Sequence, residues 1–295
     1  MISINKNNKI KKIKVYILLI LLLIKLKLSK KIYNIKNYNY LENILKKNII
    51  YKGKRLFLYK DDDTTEKKNE IHISMSIDNN GLYPSLVSIV SALENNNKSK
   101  NILIFHLLLS YNFNKNYIKT FDSLKNKYEV KIYYYIIPNI FKKCKSWTKG
   151  TRTIYYKLLL PLIMVDLERI IFVDADTLIL KDLLEMYNLP FNDNYALGHP
   201  FGGVRFIDKF VKNAKYYINV GVMLLNLKKI RNDNKEIELI RFSIENNRNL
   251  FFPEQDGLNI VFFKKIGFLP LKYGIYMIGN IENFEKKIQK GIRIK

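Results

Sequence analysis

Arg169–Leu184 reads RIIFVDADTLILKDLL, and this stretch decides how the rest of the chain is read. RIIFV, Arg169–Val173, is a short continuous apolar run of the kind that forms a strand buried on both faces of a parallel sheet. Two carboxylates, Asp174 and Asp176, follow it directly. In extended backbone, residues two apart point to the same side, about 6.6 Å apart at the usual strand rise, so both can reach one cation. Hard divalent cations such as Mg²⁺ or Mn²⁺ prefer oxygen ligands and keep positions open for substrate phosphates. The apolar strand shields one side of the pair from water, which strengthens its electrostatics. Ala175 between them is small enough for a ligand to approach the backbone. The same residues also suit a turn of solvated acids, or the N-cap of a short helix over Lys181–Tyr187. A phosphatase of the D-x-D-x-T kind is disfavoured, because Leu178 stands where the Thr belongs.

Working outward, the flanking sequence supplies alternating strands and helices. IHISMSI, Ile71–Ile77, alternates apolar with other residues and reads as a strand. Asp78–Gly81 reads as a turn, and Pro84 suits the first turn of a helix running to Glu94. Ile102–Leu109 and Val130–Ile137 read as strands, with a helix over Asn116–Lys127 between them. Ile154–Asp166 reads as mostly helical, bent or restarted at Pro161. Beyond the carboxylates, Tyr195–Gly198 and Val220–Leu225 read as strands, Lys228–Arg231 as a basic turn, and Glu236–Asn246 and Gln255–Phe263 as helices. This order indicates an α/β fold with a mixed, mainly parallel sheet flanked by helices. Ligands of such sheets bind outside the carboxyl ends of the strands. Asp78 and Asp174 both stand there.

The chain has 295 residues and 48% hydrophobic content, enough for one large core plus an N-terminal appendage. Its formal net charge of +25 comes mostly from Lys spread along the chain, accompanied by abundant Asn, Ile and Tyr. A nucleic-acid surface clusters its charge and favours Arg, so no nucleic-acid partner is expected. The single cysteine, Cys144, forms no intramolecular disulfide. Val15–Ile24, VYILLILLLI, has basic flanks and lacks the small residues of a cleavage site after it. Residues 1–30 therefore read as an uncleaved signal anchor, with a cleaved signal peptide or a buried helix as the alternatives, 31–70 as a polar stem, and 71–295 as the catalytic domain. This organisation implies a single-pass protein of the secretory-pathway membrane (Golgi or ER) with a lumenal catalytic domain. The acidic run within Asp61–Glu70 reads as solvated stem. His72, His106 and His199 read as structural.

Several blocks occur together in a familiar order: ISMSIDNNGLYPSLVSIVSAL (Ile73–Leu93), IYYKLLLP (Ile154–Pro161), LERIIFVDADTLILKDLLEMYNL (Leu167–Leu189), YINVGVMLLNLKKIR (Tyr217–Arg231) and PEQDGLN (Pro253–Asn259). In this order and spacing the chain resembles glycosyltransferase family 8, the group that includes glycogenin and bacterial galactosyltransferases. The resemblance implies a Rossmann-like nucleotide-sugar-binding fold, Mn²⁺ (or Mg²⁺), a UDP-sugar donor and retention of anomeric configuration. It implies a glycan, glycoprotein or glycolipid acceptor for a hexosyl or xylosyl group. By the same resemblance Asp174 and Asp176 are metal ligands, and Asp78 and Tyr83 lie where uridine is held. Asn219 and Asp256 contact the donor sugar, and Gln255 lies near the anomeric carbon, with Asp256 the alternative nucleophile.

Three positions depart from the family pattern. Lys157 stands where the family usually has Arg, which keeps the charge for phosphate but loses the bidentate fork. Glu254 stands where the first Asp of the DQD block is usual. The family's C-terminal His, a third metal ligand, has no counterpart after His199. That leaves open a sequence that continues past Lys295, a different metal site, or a catalytically impaired member that still binds nucleotide-sugar.

Overall fold

The structure is a computed structural model and describes residues 68–98, 100–146 and 152–274. The apolar run Val15–Ile24 and nearly all of the stem lie outside these residues. Among the described residues, no helix is long and apolar enough to cross a membrane.

The sheet strands are β1 (Asn69–Ile77), β2 (Asn101–Leu109), β3 (Val130–Ile136), β4 (Arg169–Val173), β5 (Ala196–Pro200), β6 (Ile218–Asn226) and β7 (Ile266–Phe268). They form one seven-stranded sheet in the order β3-β2-β1-β4-β6-β5-β7. β1 pairs in parallel with β2 and β4, β2 with β3, and β5 with β7, while β6 runs antiparallel to both β4 and β5. The chain winds outward from β1 to β3, then returns to the other side of β1 as β4. The strand order reverses between β1 and β4, and the crevice at such a switch point is where an open α/β sheet accepts ligands.

Both faces of the sheet are buried. Along β4, Ile170 and Phe172 join one core cluster while Ile171 and Val173 join the other. Helix α1 (Leu82–Glu94) covers the second face with Leu82, Ile89, Ala92 and Leu93. It is followed on that face by α2 (Ile118–Asp122). The first face is covered by the segment Thr153–Leu159 with α3 (Leu160–Ile163). The short helices α4 (Leu184–Tyr187) and α5 (Val204–Ile207) fill connections. Helices α6 (Leu227–Asn232), α7 (Lys235–Asn246) and α8 (Pro253–Val261) complete the first face.

Three local expectations change. Asn116–Lys127 is not one helix: 3₁₀ turns over Lys115–Tyr117 and Ser123–Asn126 flank the five residues of α2. Ser123 Oγ donates to Thr120 O at 2.7 Å, a side-chain bond that competes with the helical ladder. Lys228–Arg231 belongs to a helix, α6, whose N-terminus is capped by the Asn226 side chain accepting from Lys229 N–H. Thr153–Leu159 is 3₁₀ rather than α. Pro161 has no N–H for the Lys157 carbonyl, which accepts instead from Leu160 N–H three residues on.

Candidate active site

The carboxyl ends of β1 and β4 carry Asp78 and Asp174, as expected from their positions after the two strands. Asp78 Oδ1 accepts from Gly81 N–H at 2.8 Å, so this acid shapes the turn that starts α1. Tyr83 stands in the first turn of that helix and is 75% exposed.

Asp174-Ala175-Asp176 is not extended. Thr177 N–H donates to Asp174 O at 3.1 Å, which closes a turn over the two acids. The extended-strand geometry read from the sequence is therefore replaced by a turn, because β4 ends at Val173. The N-cap alternative also fails for these acids: Asp182 Oδ1, not Asp176, accepts from Leu184 N–H at the start of α4. Asp176 is exposed, Ala175 is half-buried, and the Asp174 side chain is half-exposed.

β6 runs beside this turn and shapes it. Asp174 N–H donates to Gly221 O at 2.7 Å, locking the two backbones together. A Cβ on Gly221 would lie 2.7 Å from Asp174 Oδ2 and 3.0 Å from Asn219 Oδ1. The missing side chain is thus what lets Asp174 and Asn219 converge. Asn219 Oδ1 also accepts from Gly221 N–H at 2.6 Å, which fixes the amide's orientation.

Lys157 is buried beneath the turn, its side chain 3% exposed. Its Nζ donates to Asp174 Oδ1 at 3.0 Å and to Val220 O at 3.2 Å, and sits 4.5 Å from the centroid of the Phe172 ring. A lone buried ammonium is costly, and these three partners offset that cost. Gln255 Oε1 accepts from Val220 N–H at 3.2 Å, and its Nε2 donates to Tyr217 Oη at 3.0 Å. Tyr217 in turn donates to Asp256 Oδ1. Asp256 is fully buried, and its other oxygen accepts from the amides of Phe251 and Phe252 at 2.7 and 2.9 Å. A continuous hydrogen-bonded path therefore runs from Asp174 through Lys157, Val220, Gln255 and Tyr217 to Asp256.

Burial pushes the carboxyl of Asp256 above its ordinary value, against the opposing pull of the Tyr217 hydroxyl and the two amides. Burial also raises Glu254, opposed by the Lys157 ammonium and reinforced by the nearby charges of Asp174 and Asp256. Glu254 Oε2 is buried and has no hydrogen-bond partner among the described residues. An unpartnered carboxyl oxygen within electrostatic reach of Asp174 and Lys157 is a group that a polar ligand can satisfy.

The acids present suit a hard divalent cation. Asp174 Oδ2 and Asp176 offer oxygen donors at an exposed turn, and Gly221, lacking a Cβ, leaves the space beside Asp174 Oδ2 that a side chain would fill. Among the described residues, no third His, Cys, Asp or Glu joins them to make a metal-binding group. A two-carboxylate grip with remaining positions left for phosphate and water is the arrangement Mg²⁺ commonly accepts.

Sequence reasoning singled out Asp174, Asp176, Asn219, Gln255 and Asp256 but missed Gly221 and Tyr217. The signal for Gly221 was its place two residues after Asn219 in an otherwise apolar strand, where a glycine marks close approach. Tyr217 carried no local signal, since its partners lie 38 and 39 residues away.

The sequence profile described as Glycosyl transferase family 8 matches residues 72–294, and the chain belongs to that family. Lipopolysaccharide 1,2-glucosyltransferase of Escherichia coli is 31% identical over 241 residues, covering 75% of this chain and 67% of the relative. Glucoside xylosyltransferase 2 of Mus musculus is 26% identical over 222 residues, covering 65% of this chain and 48% of the relative. The chain thus spans between about half and two thirds of the lengths of these relatives. The galactosyltransferase LgtC, solved in complex with donor and acceptor sugar analogs, superposes with a TM-score of 0.62 at 18% identity. That match covers 74% of this chain and 78% of LgtC. WbbM, a bifunctional glycosyltransferase, gives 0.60 at 20% identity over 71% of this chain and 40% of its own. These likenesses establish the mixed, mainly parallel α/β fold of the glycosyltransferases.

Proposed function

We propose that the chain transfers a glucosyl, galactosyl or xylosyl group from a UDP-sugar to a glycan or glycoconjugate acceptor, with retention of anomeric configuration. The observation that carries this reading is the hydrogen-bonded path from Asp174 to Asp256. It ties the acidic turn to the amide of Gln255 through buried, mutually oriented groups at a topological switch point. Family membership and the named relatives, one a glucosyltransferase and one a xylosyltransferase, support it.

In this reading Asp174 and Asp176 hold a divalent cation, which when bound supplies Lewis acidity toward the leaving diphosphate. Lys157 keeps Asp174 in place and adds positive charge beneath the phosphate site. Asp78 and Tyr83 face the uridine, and Ala175 lets the donor approach the backbone. Asn219 and Glu254 meet donor hydroxyls. Gln255, oriented at both ends of its amide, lies beside the anomeric carbon. An amide is a poor nucleophile, which favours attack from the face of departure. Asp256 has both oxygens engaged, so its part is to hold Tyr217, and through it Gln255, in position. The catalytic unit is residues 71–295. The anchor at 1–30, the stem and a lumenal Golgi or ER location rest on sequence alone.

The test is a panel of UDP-sugars assayed for Mn²⁺-dependent UDP release. Turnover with one of them, lost in Asp176→Ala, is expected; undiminished metal-dependent release in that variant refutes the metal assignment. A second reading is a member that binds nucleotide-sugar without turning it over. UDP binding with no release from any donor selects it.

A further inference from the structure

Tyr216 and Phe268 leave 52% and 44% of their surfaces in solvent, although the residues beside them, Tyr217 and Leu269, are buried. Their rings meet edge to face, with centroids 5.4 Å apart and an interplanar angle of 76°. Pro200, at the end of β5, and Pro270 and Leu271, directly after β7, are exposed as well. The backbone under each ring is fixed. Two residues after Tyr216, the Asn259 amide on α8 engages both backbone groups of Ile218: Oδ1 accepts from Ile218 N–H at 2.7 Å, and Nδ2 donates to Ile218 O at 2.9 Å. Phe268 ends β7, and Leu269 N–H beyond it donates to Gly198 O at 2.9 Å. Aromatic rings gain much from contact with an apolar surface, and rings on a fixed backbone lose little entropy in making it.

The strand register says what lies beside these rings. β5 pairs Gly198 with Phe268 on one side, and its next residue, His199, with Asn219 on the other. Phe268 is therefore about 10 Å, or two strand spacings, from Asn219. Tyr216 precedes Tyr217, whose hydroxyl accepts from the Gln255 amide. With the strands in the order β1-β4-β6-β5-β7, the carboxyl end of the sheet carries Asp78, Asp174, Asn219 and Phe268 in that sequence. The first three are the positions proposed above for uridine, diphosphate and donor sugar. The rings come next along the same line, where the molecule that receives the sugar must lie.

We propose that Tyr216 and Phe268 form the acceptor subsite, and that it takes a pyranose ring of a glycan through the C–H face of that ring. This rests on the transferase reading above. The apolar face of the sugar packs on the two rings, its hydroxyls stay toward water, and the adjoining sugar extends toward Asn219 and Gln255.

The experiment is ligand-observed saturation-transfer NMR on the full chain with UDP and Mg²⁺. Lactose and maltose are the probes, and sorbitol, which has hydroxyls but no ring, is the control. Transfer to the ring C–H protons of at least one disaccharide, well above that to sorbitol, is expected. Phe268→Ala and Tyr216→Ala each lower it on the order of fivefold, the worth of one aromatic contact. Tyr216→Phe retains it. The UDP signal, read in the same spectra, stays unchanged in all three variants. Equal signals for the disaccharides and sorbitol in the wild type, or full disaccharide signal in both alanine variants, overturn the proposal. A UDP signal that falls in step with the disaccharide signal marks a loss of folding and overturns it too. Self-association of the wild type in sedimentation velocity, lost in Phe268→Ala and with no disaccharide signal, makes the rings a contact between copies instead. UDP binding with no disaccharide signal overturns the subsite alone. Disaccharide binding without UDP binding leaves the subsite standing and removes the donor reading.

Discussion

Gly221→Ala separates the geometry of the acidic turn from the stability of the fold. The added Cβ would stand 2.7 Å from Asp174 Oδ2, where ordinary contact begins at 3.4 Å. Neither backbone can retreat easily, because Asp174 N–H and Gly221 O are joined at 2.7 Å. The carboxylate must therefore shift by about 0.7 Å, and misplacements of about 1 Å at a reacting site cost about 100-fold in rate. The expected loss of kcat/KM is about 10- to 100-fold, or about 1.4–2.7 kcal/mol of transition-state stabilisation. Stability moves differently: alanine in a strand interior gains about 0.5–1 kcal/mol over glycine, which partly offsets the local clash. The assay is metal-dependent UDP release from the donor that the wild type uses, beside a thermal melt of the same sample. A melt close to wild type with turnover reduced as stated supports the account. Turnover within about twofold of wild type, in a variant that melts normally, contradicts the claim that Gly221 positions Asp174.

Lys157→Met keeps length but removes the ammonium that pairs with Asp174 and opposes the charge of Glu254. UDP affinity is expected to fall on the order of tenfold by calorimetry, since a charge-assisted bond contributes about 1.5–3 kcal/mol. Tyr217→Phe leaves Gln255 Nε2 and Asp256 Oδ1 without their shared buried partner. Urea unfolding should show a loss of about 1–3 kcal/mol, and an unchanged midpoint contradicts the positioning role. His72 donates or accepts across a 3.0 Å contact with His106, and burial pulls its pKa from 6.5 to about 4 against the opposing charge of Glu70, with Lys131 adding to the fall. The unfolded chain then binds the proton more readily. Stability is full above about pH 6.5 and declines as pH falls toward 4, by at most about 3 kcal/mol. His72→Gln should flatten that acid limb in denaturant titrations. An identical limb in the variant points to other groups.

What was legible in the sequence is what local pattern encodes. β2, β4 and β6 were readable because burial on both faces leaves few polar positions, and β1 because its apolar residues alternate with others. The position of Asp78 and Asp174 at strand ends followed from those runs. The turn at Asp174–Thr177 did not, because D-x-D is compatible with either an extended or a turned backbone. The helix α6 was hidden by its basic residues, and its cap, Asn226, lies at the end of the preceding strand. Burial of Lys157 was invisible, since its partner Asp174 is 17 residues on and its other acceptor, Val220 O, is 63 residues on. Tyr217, Gln255 and Asp256 were separately unremarkable as a network, because nothing local to a tyrosine announces a carboxylate on a distant helix.

The central claim is that Asp174 and Asp176 grip a divalent cation together with a nucleoside diphosphate. Its most direct measurement is electron paramagnetic resonance of Mn²⁺ titrated into the full chain with and without UDP, in the wild type and in Asp176→Asn. The account predicts that free Mn²⁺ signal is depleted stoichiometrically when UDP is present, and that the substitution restores it. Undiminished depletion in Asp176→Asn would place the cation elsewhere and contradict the account.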